Sequence, residues 1–222
     1  MKYIVLLTLL AGHVGYSYDS PILDGPQETK QMDYVKPIIE LTETNVITYE
    51  DIRFTAIFHC KRAFYQDIKQ EIIDDLIKIE KKFNVPVELR GLLLAAACHE
   101  SGYNPNAAGD RKFSKNKKKP MAIGILQQWP WWENKKFGYG INRTDYKQAA
   151  EAWMLHIVKQ IPKVKSSCGY KTQKRIWIAA WVKAIRAPKA EGRCREVPTH
   201  LKVLKRWHKR IIADRESDVS GC

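Results

Sequence analysis

The sequence predicts a mainly α-helical domain with an irregular N-terminal arm, and three observations lead to that prediction. Apolar residues recur at helical spacing in most of the chain after residue 51. Glycine and proline, which commonly end helices, separate these stretches. No series of alternating strand segments and no internal repeat follows, so neither a sheet domain nor a repeat array is expected.

The first residues of the chain predict export. Lys2 is followed by an apolar stretch from Tyr3 to Ala11, and the small residues Gly15 and Ser17 stand where a signal peptidase cuts. The alternative is a short buried helix. We expect a secreted protein of the periplasm or the extracellular space, without a lipid anchor because no cysteine directly follows the apolar stretch. The expected divisions are a signal peptide at 1–17, an N-terminal extension at 18–50, one domain at 51–215 and a C-terminal tail at 216–222.

Periodicity and stop signals predict the helices of the domain. Apolar residues from Ile68 to Phe83 recur at helical spacing between charged ones, and Asn84 and Pro86 end that stretch. The next helix is expected from Val87 to about Glu100, with a body that is apolar on all sides and therefore central to the core. The other expected elements are a strand at 46–49, a loop at 103–120, a short element at 123–128 and helices at 145–161, 171–185 and 199–213.

The net charge of the chain indicates which classes of partner to expect. The chain has 38 Lys and Arg against 24 Asp and Glu, which gives a net charge of +14. Such an excess favours polyanions, and for an exported protein an anionic cell wall comes first. Nucleic acid is not expected because the basic residues are dispersed. Stable membrane insertion is not expected either, since no later apolar run approaches the ~20 residues of a span, and we expect a monomer.

The five cysteines suit an oxidising compartment. Cys168 and Cys194 lie in loop-like contexts and are the first candidates for a disulfide, with Cys60 and Cys98 as the second pair. Alternatively, Cys98 is a small buried apolar residue of its helix. The odd count leaves at least one cysteine, such as Cys222, without a partner in the chain. No Cys-x-x-Cys pair is present, and neither a metal nor a cofactor is expected.

Glu100 is the candidate catalytic residue. It ends a helix whose preceding two turns are almost wholly apolar, so its carboxyl is expected to be partly desolvated and to keep the proton that a general acid needs. Taken alone, it could also be a surface residue at a helix end. The helix dipole disfavours a carboxylate there, which is itself a hint of function. His99-Glu100 does not begin a zinc-protease motif, because the required second histidine is replaced by Tyr103.

The neighbours of Glu100 carry a family resemblance. The string from Glu100 to Ala107 reads Glu-Ser-Gly-Tyr-Asn-Pro-Asn-Ala, and Gly124–Gln127 reads Gly-Ile-Leu-Gln. Together with the lead-in Phe83–Leu89, these strings resemble the soluble lytic transglycosylases, whose fold is related to that of goose-type lysozyme. The resemblance covers roughly residues 65–190. It implies a lysozyme-like helical domain.

The resemblance also implies an activity and roles for individual residues. Glu100 would be the only catalytic carboxylate, cleaving the MurNAc–GlcNAc bond of peptidoglycan glycan strands and leaving 1,6-anhydro-MurNAc ends. Ser101 would orient the reaction centre, and Gln127 would hydrogen-bond sugar substituents. Tyr103 would pack beside the catalytic turn, next to the bound substrate.

Three features depart from that family. The interval between Glu100 and Gln127 is long, with a basic insertion at residues 111–120 that either lines the cleft or is merely solvated. Trp181 stands where the family has a tyrosine facing the catalytic glutamate, and it has no phenolic proton to donate. Asp110 is either an ordinary turn residue or a second carboxylate that positions water, as in a true hydrolase.

Aromatic residues close to Gln127 are candidates for sugar stacking. Trp129, Trp131 and Trp132 follow it within five positions. Aromatic faces stack on sugar rings, although core packing is the commoner use of tryptophan. We expect one of the three to contact substrate, with Trp131 and the later Trp181 as the named candidates.

Three functions therefore compete. The first is a lytic transglycosylase, the second is a hydrolytic lysozyme on the same scaffold, and the third is a non-catalytic basic protein that binds the cell wall. The products of wall digestion separate the first two, and the effect of Glu100→Gln separates both from the third. A basic amphipathic helix at the C-terminus could also bind a membrane, but packing of its apolar face on the domain is the simpler interpretation.

Overall fold

A computed structural model describes residues 46–65, 70–113, 119–185 and 194–220. They all belong to one compact unit, Leu41–Cys222. The expected signal peptide, residues 18–45 of the expected extension, residues 114–118 of the basic insertion and Cys222 lie outside the described residues.

The fold is mainly helical, as predicted. Two short antiparallel strands pair Ala108 with Ile123 and Gly109 with Ala122. The α-helices are α1 Tyr49–His59, α2 Gln70–Lys81, α3 Leu92–Ser101, α4 Tyr146–Cys168, α5 Gln173–Ile185 and α6 His200–Ser220. The strands are β1 Ala108–Gly109 and β2 Ala122–Ile123, and 3₁₀ helices occupy Lys61–Tyr65, Val87–Leu89, Arg111–Phe113 and Pro130–Glu133.

The expected strand at 46–49 is wrong, because Tyr49 already begins α1. Thr48 caps this helix: its hydroxyl accepts a hydrogen bond from the Asp51 N–H, and the Asp51 carboxylate accepts one from the Thr48 N–H at 2.6 Å. This reciprocal capping satisfies two backbone donors at once. The capping interaction starts a helix here even though the β-branched residues of the segment favour a strand.

The continuous helix expected from Val87 to Glu100 is also wrong. The chain makes a short 3₁₀ helix, and Gly91 then adopts a left-handed conformation with φ of 87° before α3 begins at Leu92. A Cβ at Gly91 would lie 2.9 Å from the Ile52 side chain, so α1 and the start of α3 pack too closely for another residue. Glycine therefore separates the two helical segments.

Helix α3 is the centre of the domain. Leu92 to Cys98 are all buried, as the apolar sequence predicted. The helix contacts α1, α2, α6 and the 3₁₀ helix Lys61–Tyr65, while α4 packs chiefly on α5 and α2. Such complete burial fixes the position of whatever side chains follow at its C-terminal end.

Helices α4 and α6 extend beyond their expected ends. Helix α4 continues to Cys168, past the expected end at Ile161, and contains Pro162. Helix α6 continues to Ser220, so most of the expected C-terminal tail is helical. Its apolar face packs on the domain through four buried residues, which confirms the simpler interpretation of this basic helix: Leu201, Leu204, Trp207 and Ile211.

Two disulfides join the described helices and loops. Cys60 bonds Cys98 and Cys168 bonds Cys194, which confirms both predicted pairs. The first bond anchors α3 to the end of α1, and the second joins the end of α4 to the segment before α6. Among the described residues, no helix has the length and apolar content needed to cross a membrane.

Candidate active site

The C-terminal end of α3 is a tightly constrained turn. Gly102 caps the helix with φ of 64°, and its N–H donates to carbonyls of the last turn. A Cβ on Gly102 would lie 2.7 Å from the backbone of Arg62, because the turn presses on the 3₁₀ helix at Lys61–Tyr65. The Cys60–Cys98 disulfide holds the same two segments together. The sequence after Glu100 therefore needs glycine for steric reasons alone.

Glu100 lies at the edge of the core and remains accessible. Its side chain is 31% exposed, and Oε1 lies 2.6 Å from Nε2 of His200. The backbone carbonyl of Glu100 accepts a hydrogen bond from the Arg62 guanidinium at 3.0 Å. No described residue hydrogen-bonds Oε2 of Glu100. One oxygen of the carboxyl is thus held by protein, and the other is available to a ligand.

His200, the first residue of α6, is buried behind Glu100. Its ring stacks on Trp181 at a centroid distance of 5.5 Å and meets Trp153 edge-on. Nδ1 of His200 is buried without a hydrogen-bond partner. Since a buried N–H without an acceptor is rarer than a bare lone pair, we assign the ring proton to Nε2, which then donates to Glu100.

His99 completes a cluster with Glu100 and His200. The two imidazole rings meet edge-on with centroids 5.1 Å apart. Desolvation, followed by the proximity of His200 and Arg62, lowers the pKa of His99, and Glu100 opposes that shift only in part. A lowered pKa keeps this imidazole neutral around pH 7. The cluster therefore combines one carboxyl with two imidazoles.

Ser101 connects the turn after Glu100 to the Gly-Ile-Leu-Gln string. Its hydroxyl donates to the Ile125 carbonyl at 2.8 Å. Gly124 opens that turn with φ of 80°, and a Cβ there would collide with the Arg143 carbonyl. The two strings of the family resemblance are thus in contact in the fold. Ser101 acts on the site by fixing this turn.

Gln127 has a left-handed backbone, with φ of 47°, and points back into its own turn. Its Nε2 donates to the Gly124 carbonyl at 3.0 Å, and its Oε1 lies against Gly109 of β1. The side chain braces the turn against the small sheet. That it also binds sugar substituents stays a prediction.

Tyr103 and Trp181 are buried in the fold, and that they contact substrate stays a prediction. The Tyr103 hydroxyl donates to the Leu94 carbonyl at 3.2 Å, and burial raises its pKa well above the usual value. Trp181 is fully buried beneath His200. Both side chains shape the site by packing.

The aromatic loop, residues 129–137, presents two tryptophan side chains to solvent. Trp129 is 38% and Trp131 40% exposed, whereas Trp132 is 6% exposed and stacks beneath Trp131. The Trp129 indole donates to the carboxylate of Asp110 at 3.1 Å. Asp110 is therefore an exposed residue held beside an exposed aromatic ring. Trp131, the named candidate, is accessible to a ligand.

A buried arginine supports this loop from beneath. Arg143 donates through Nη1 to the carbonyls of Met121 and Gln128, at 2.9 and 2.7 Å, and through Nη2 to Glu133. Buried charged donors of this kind fix backbone position strongly. The backbone that carries the two exposed tryptophans is consequently held in a fixed position.

His200 is the site residue that the sequence analysis missed. It lies 100 positions from Glu100 in the chain, so local strings cannot reveal the contact. A signal did exist: His200 is in helical phase with Leu204, Trp207 and Ile211, the buried face of α6. A titratable residue on an apolar face is a candidate for a buried polar contact.

Comparison with known proteins returns no match to the chain among protein-family models, curated proteins or solved structures. The resemblance to lytic transglycosylases therefore rests on the two strings that contact each other through Ser101, and it stays a prediction.

Proposed function

We propose that this chain is an exported peptidoglycan lytic transglycosylase in which Glu100 is the single acid and base. One observation carries the proposal. Glu100 lies in the last turn of α3, after the buried body Leu92–Cys98, with one carboxyl oxygen held by His200 and the other free of any bond to a described residue. This arrangement gives a proton donor a fixed direction and an open side.

The chemistry needs two proton transfers at Glu100. As an acid, Glu100 protonates the glycosidic oxygen between MurNAc and GlcNAc, and the C1–O bond breaks. As a carboxylate, it then takes the proton of the MurNAc 6-hydroxyl while that oxygen bonds to C1. The product carries a 1,6-anhydro ring, and Glu100 regains its proton. The Nε2–H of His200 holds the carboxyl in place through both steps.

The number of carboxylates supports transglycosylation over hydrolysis. Glycosidases that use water generally need two carboxylates flanking the scissile bond. The family resemblance assigns one catalytic carboxylate, Glu100, and no second one. A substrate that supplies its own hydroxyl nucleophile needs only one.

Surface chemistry supports a glycan of the cell wall as the substrate. Exposed Trp129 and Trp131 offer faces for sugar rings. The net charge of +14 favours an anionic polymer. Two disulfides are compatible with a protein that folds outside the cytoplasm.

A hydrolytic lysozyme is the second candidate, and Asp110 is the observation that favours it. Its carboxylate is exposed and fixed by Trp129 on the same aromatic loop that would hold the glycan. A carboxylate beside the substrate can position a water molecule for attack on C1.

The test is a digest of purified peptidoglycan sacculi followed by mass spectrometry of the fragments. We expect anhydro ends with the wild-type protein and no release with Glu100→Gln. Fragments heavier by one water would show hydrolysis instead. Release that survives Glu100→Gln, with Glu88→Gln as a matched exposed control, would mean another catalytic residue. No release by the wild-type protein would favour a non-catalytic wall-binding protein.

A further inference from the structure

The cluster formed by His99, Glu100 and His200 has a property that acid–base chemistry does not require. Each of the three side chains offers one ligand atom, and these atoms all lie within 4.8 Å of one another. Two come from the last turn of α3 and one from the first turn of α6. We propose that the cluster binds one zinc-like transition-metal ion and that the ion inhibits the site by occupying Glu100.

The donor set fits this class of ion. Two imidazole nitrogens and one carboxylate oxygen form a known ligand set for Zn²⁺, with metal–ligand distances of about 2.0–2.2 Å. Ligand atoms around one tetrahedral ion are then roughly 3.3 Å apart. The ligand atoms lie within 4.8 Å of one another, so binding of one ion requires them to come closer together.

The ligands are also available. No described residue hydrogen-bonds the His99 ring, and His200 is the only described residue that hydrogen-bonds the Glu100 carboxyl. Glu100 is 31% exposed, so an ion can enter from solvent and keep water in its fourth position. Imidazole and carboxylate together favour zinc, copper or nickel over magnesium or calcium, which prefer all-oxygen sites.

The surroundings set the affinity. In strong metal sites the second nitrogen of each histidine donates to a carboxylate or a carbonyl, and losing such a partner weakens binding about 10–100-fold. A metal ion on Nε2 of His200 would require the ring proton to move to Nδ1, which is buried without a partner, and the Arg62 charge acts on His99. We therefore expect binding about 10–100-fold weaker than in a site whose histidines keep such partners.

The consequence for catalysis follows from competition for one oxygen. A carboxylate bound to a metal ion cannot carry the proton that the glycosidic oxygen needs. This inhibition rests on the proposed function, whereas the binding itself does not. A reversible block by a transition metal would make cleavage depend on the free metal concentration outside the cell.

The experiment is calorimetric titration of the full-length protein with ZnCl₂, repeated with CoCl₂ to record the visible absorption of a four-coordinate ion. We expect one ion per chain, at least tenfold weaker binding in His99→Gln, and unchanged binding in His59→Gln. His59 is a matched control because it lies on α1, outside the cluster. A Cys222→Ser variant must also bind, which excludes the thiol as the ligand.

Two outcomes would overturn the proposal: the absence of saturable 1:1 binding, or equal affinity in wild type and His99→Gln. Sacculus cleavage by the wild type is then measured with Zn²⁺ and again after EDTA, and we expect loss followed by recovery. If zinc binds through His99 but the protein cleaves no sacculi in EDTA, the metal site stands and the proposed function fails. If EDTA-treated protein cleaves and saturating zinc changes nothing, the inhibition is wrong.

Discussion

A carboxyl group lies at each end of α3, and the two groups differ in their burial and in their hydrogen bonds. At the N-terminal end, the buried Glu80 of α2 accepts hydrogen bonds from the Gly91 and Leu93 N–H groups, both at 2.7 Å. At the C-terminal end, Glu100 is partly exposed and bonded by one imidazole. The helix dipole stabilises an anion at the first end and opposes it at the second.

The comparison separates a structural carboxyl from a candidate catalytic one. Glu80 replaces the missing side-chain cap of α3, and both of its oxygens are used by protein. Burial raises the pKa of Glu80 to about 7 despite these donors. Glu100 keeps one oxygen free and sits where solvent reaches it. Accessibility to solvent, more than burial, distinguishes Glu100 as the carboxyl group that can contact a substrate.

The largest effect should come from exchanging the two carboxyls for amides. Glu100→Gln should lower sacculus cleavage by about 10²–10⁴-fold, the usual contribution of a general acid, while leaving Tm nearly unchanged. Glu80→Gln should do the reverse, with reduced stability and near-normal cleavage per folded molecule. Turbidity clearing of sacculi and thermal melts measure the two quantities. Equal loss of cleavage in both variants would contradict the assignment of a structural role to Glu80 and a catalytic role to Glu100.

The next largest effect concerns the bond that anchors the C-terminal end of α3. Cys60→Ser combined with Cys98→Ser should lower the free energy of unfolding by about 3–4 kcal/mol, from the loop closed by a sequence separation of 38. The loss should exceed that of the more exposed Cys168–Cys194 pair, because both serines also become buried polar groups. Urea denaturation of the two double variants measures the difference. A larger loss at Cys168–Cys194 would contradict it.

The buried carboxyl should also give the protein a characteristic pH dependence. Because the pKa of Glu80 is about 7 in the folded protein against 4.5 unfolded, the folded state binds its proton more tightly. Stability from this group is full below about pH 4.5 and is lost as pH rises through 7, by about 3 kcal/mol in total. The difference in unfolding free energy between wild type and Glu80→Gln should shrink over this range. A difference that stays constant or grows with pH would refute the assignment.

The smallest effect concerns the aromatic loop. Trp131→Ala should weaken binding of glycan fragments to the inactive Glu100→Gln protein by about 0.5–1.5 kcal/mol, the usual range for an aromatic contact. Phe137→Ala is the matched control, since Phe137 is exposed on the same loop. Calorimetry with soluble glycan fragments provides the measurement. Equal losses in both variants would mean that Trp131 has no specific role.

Much of the fold could be predicted from sequence because helical periodicity is a local property. The buried body of α3 and the core-facing side of α6 follow from the spacing of their apolar residues. The boundaries of the helices were predicted less accurately. The break at Gly91 arises from close contact with Ile52, and such tertiary contacts leave no trace in local sequence.

The site was predictable only in part, for the same physical reason. Glu100 stands out locally as an acid at the end of an apolar helix. Its contact with His200 depends on how α6 docks, and Trp181 proved to be the buried support of that histidine. The sequence analysis did not single out Glu80, although it lies in phase with buried Ile73 and Leu76.

The left-handed residues around the site have a consequence for engineering. Tyr103, Asp110 and Gln127 have φ values of 65°, 55° and 47°, a conformation that disfavours side chains with a Cβ by about 1 kcal/mol or more each. Selection for heat resistance should therefore reach Asp110 early, since glycine or asparagine there relieves strain on an exposed loop. Glycine at this position would remove the acceptor of the Trp129 indole, whereas asparagine would keep one in its side-chain carbonyl oxygen.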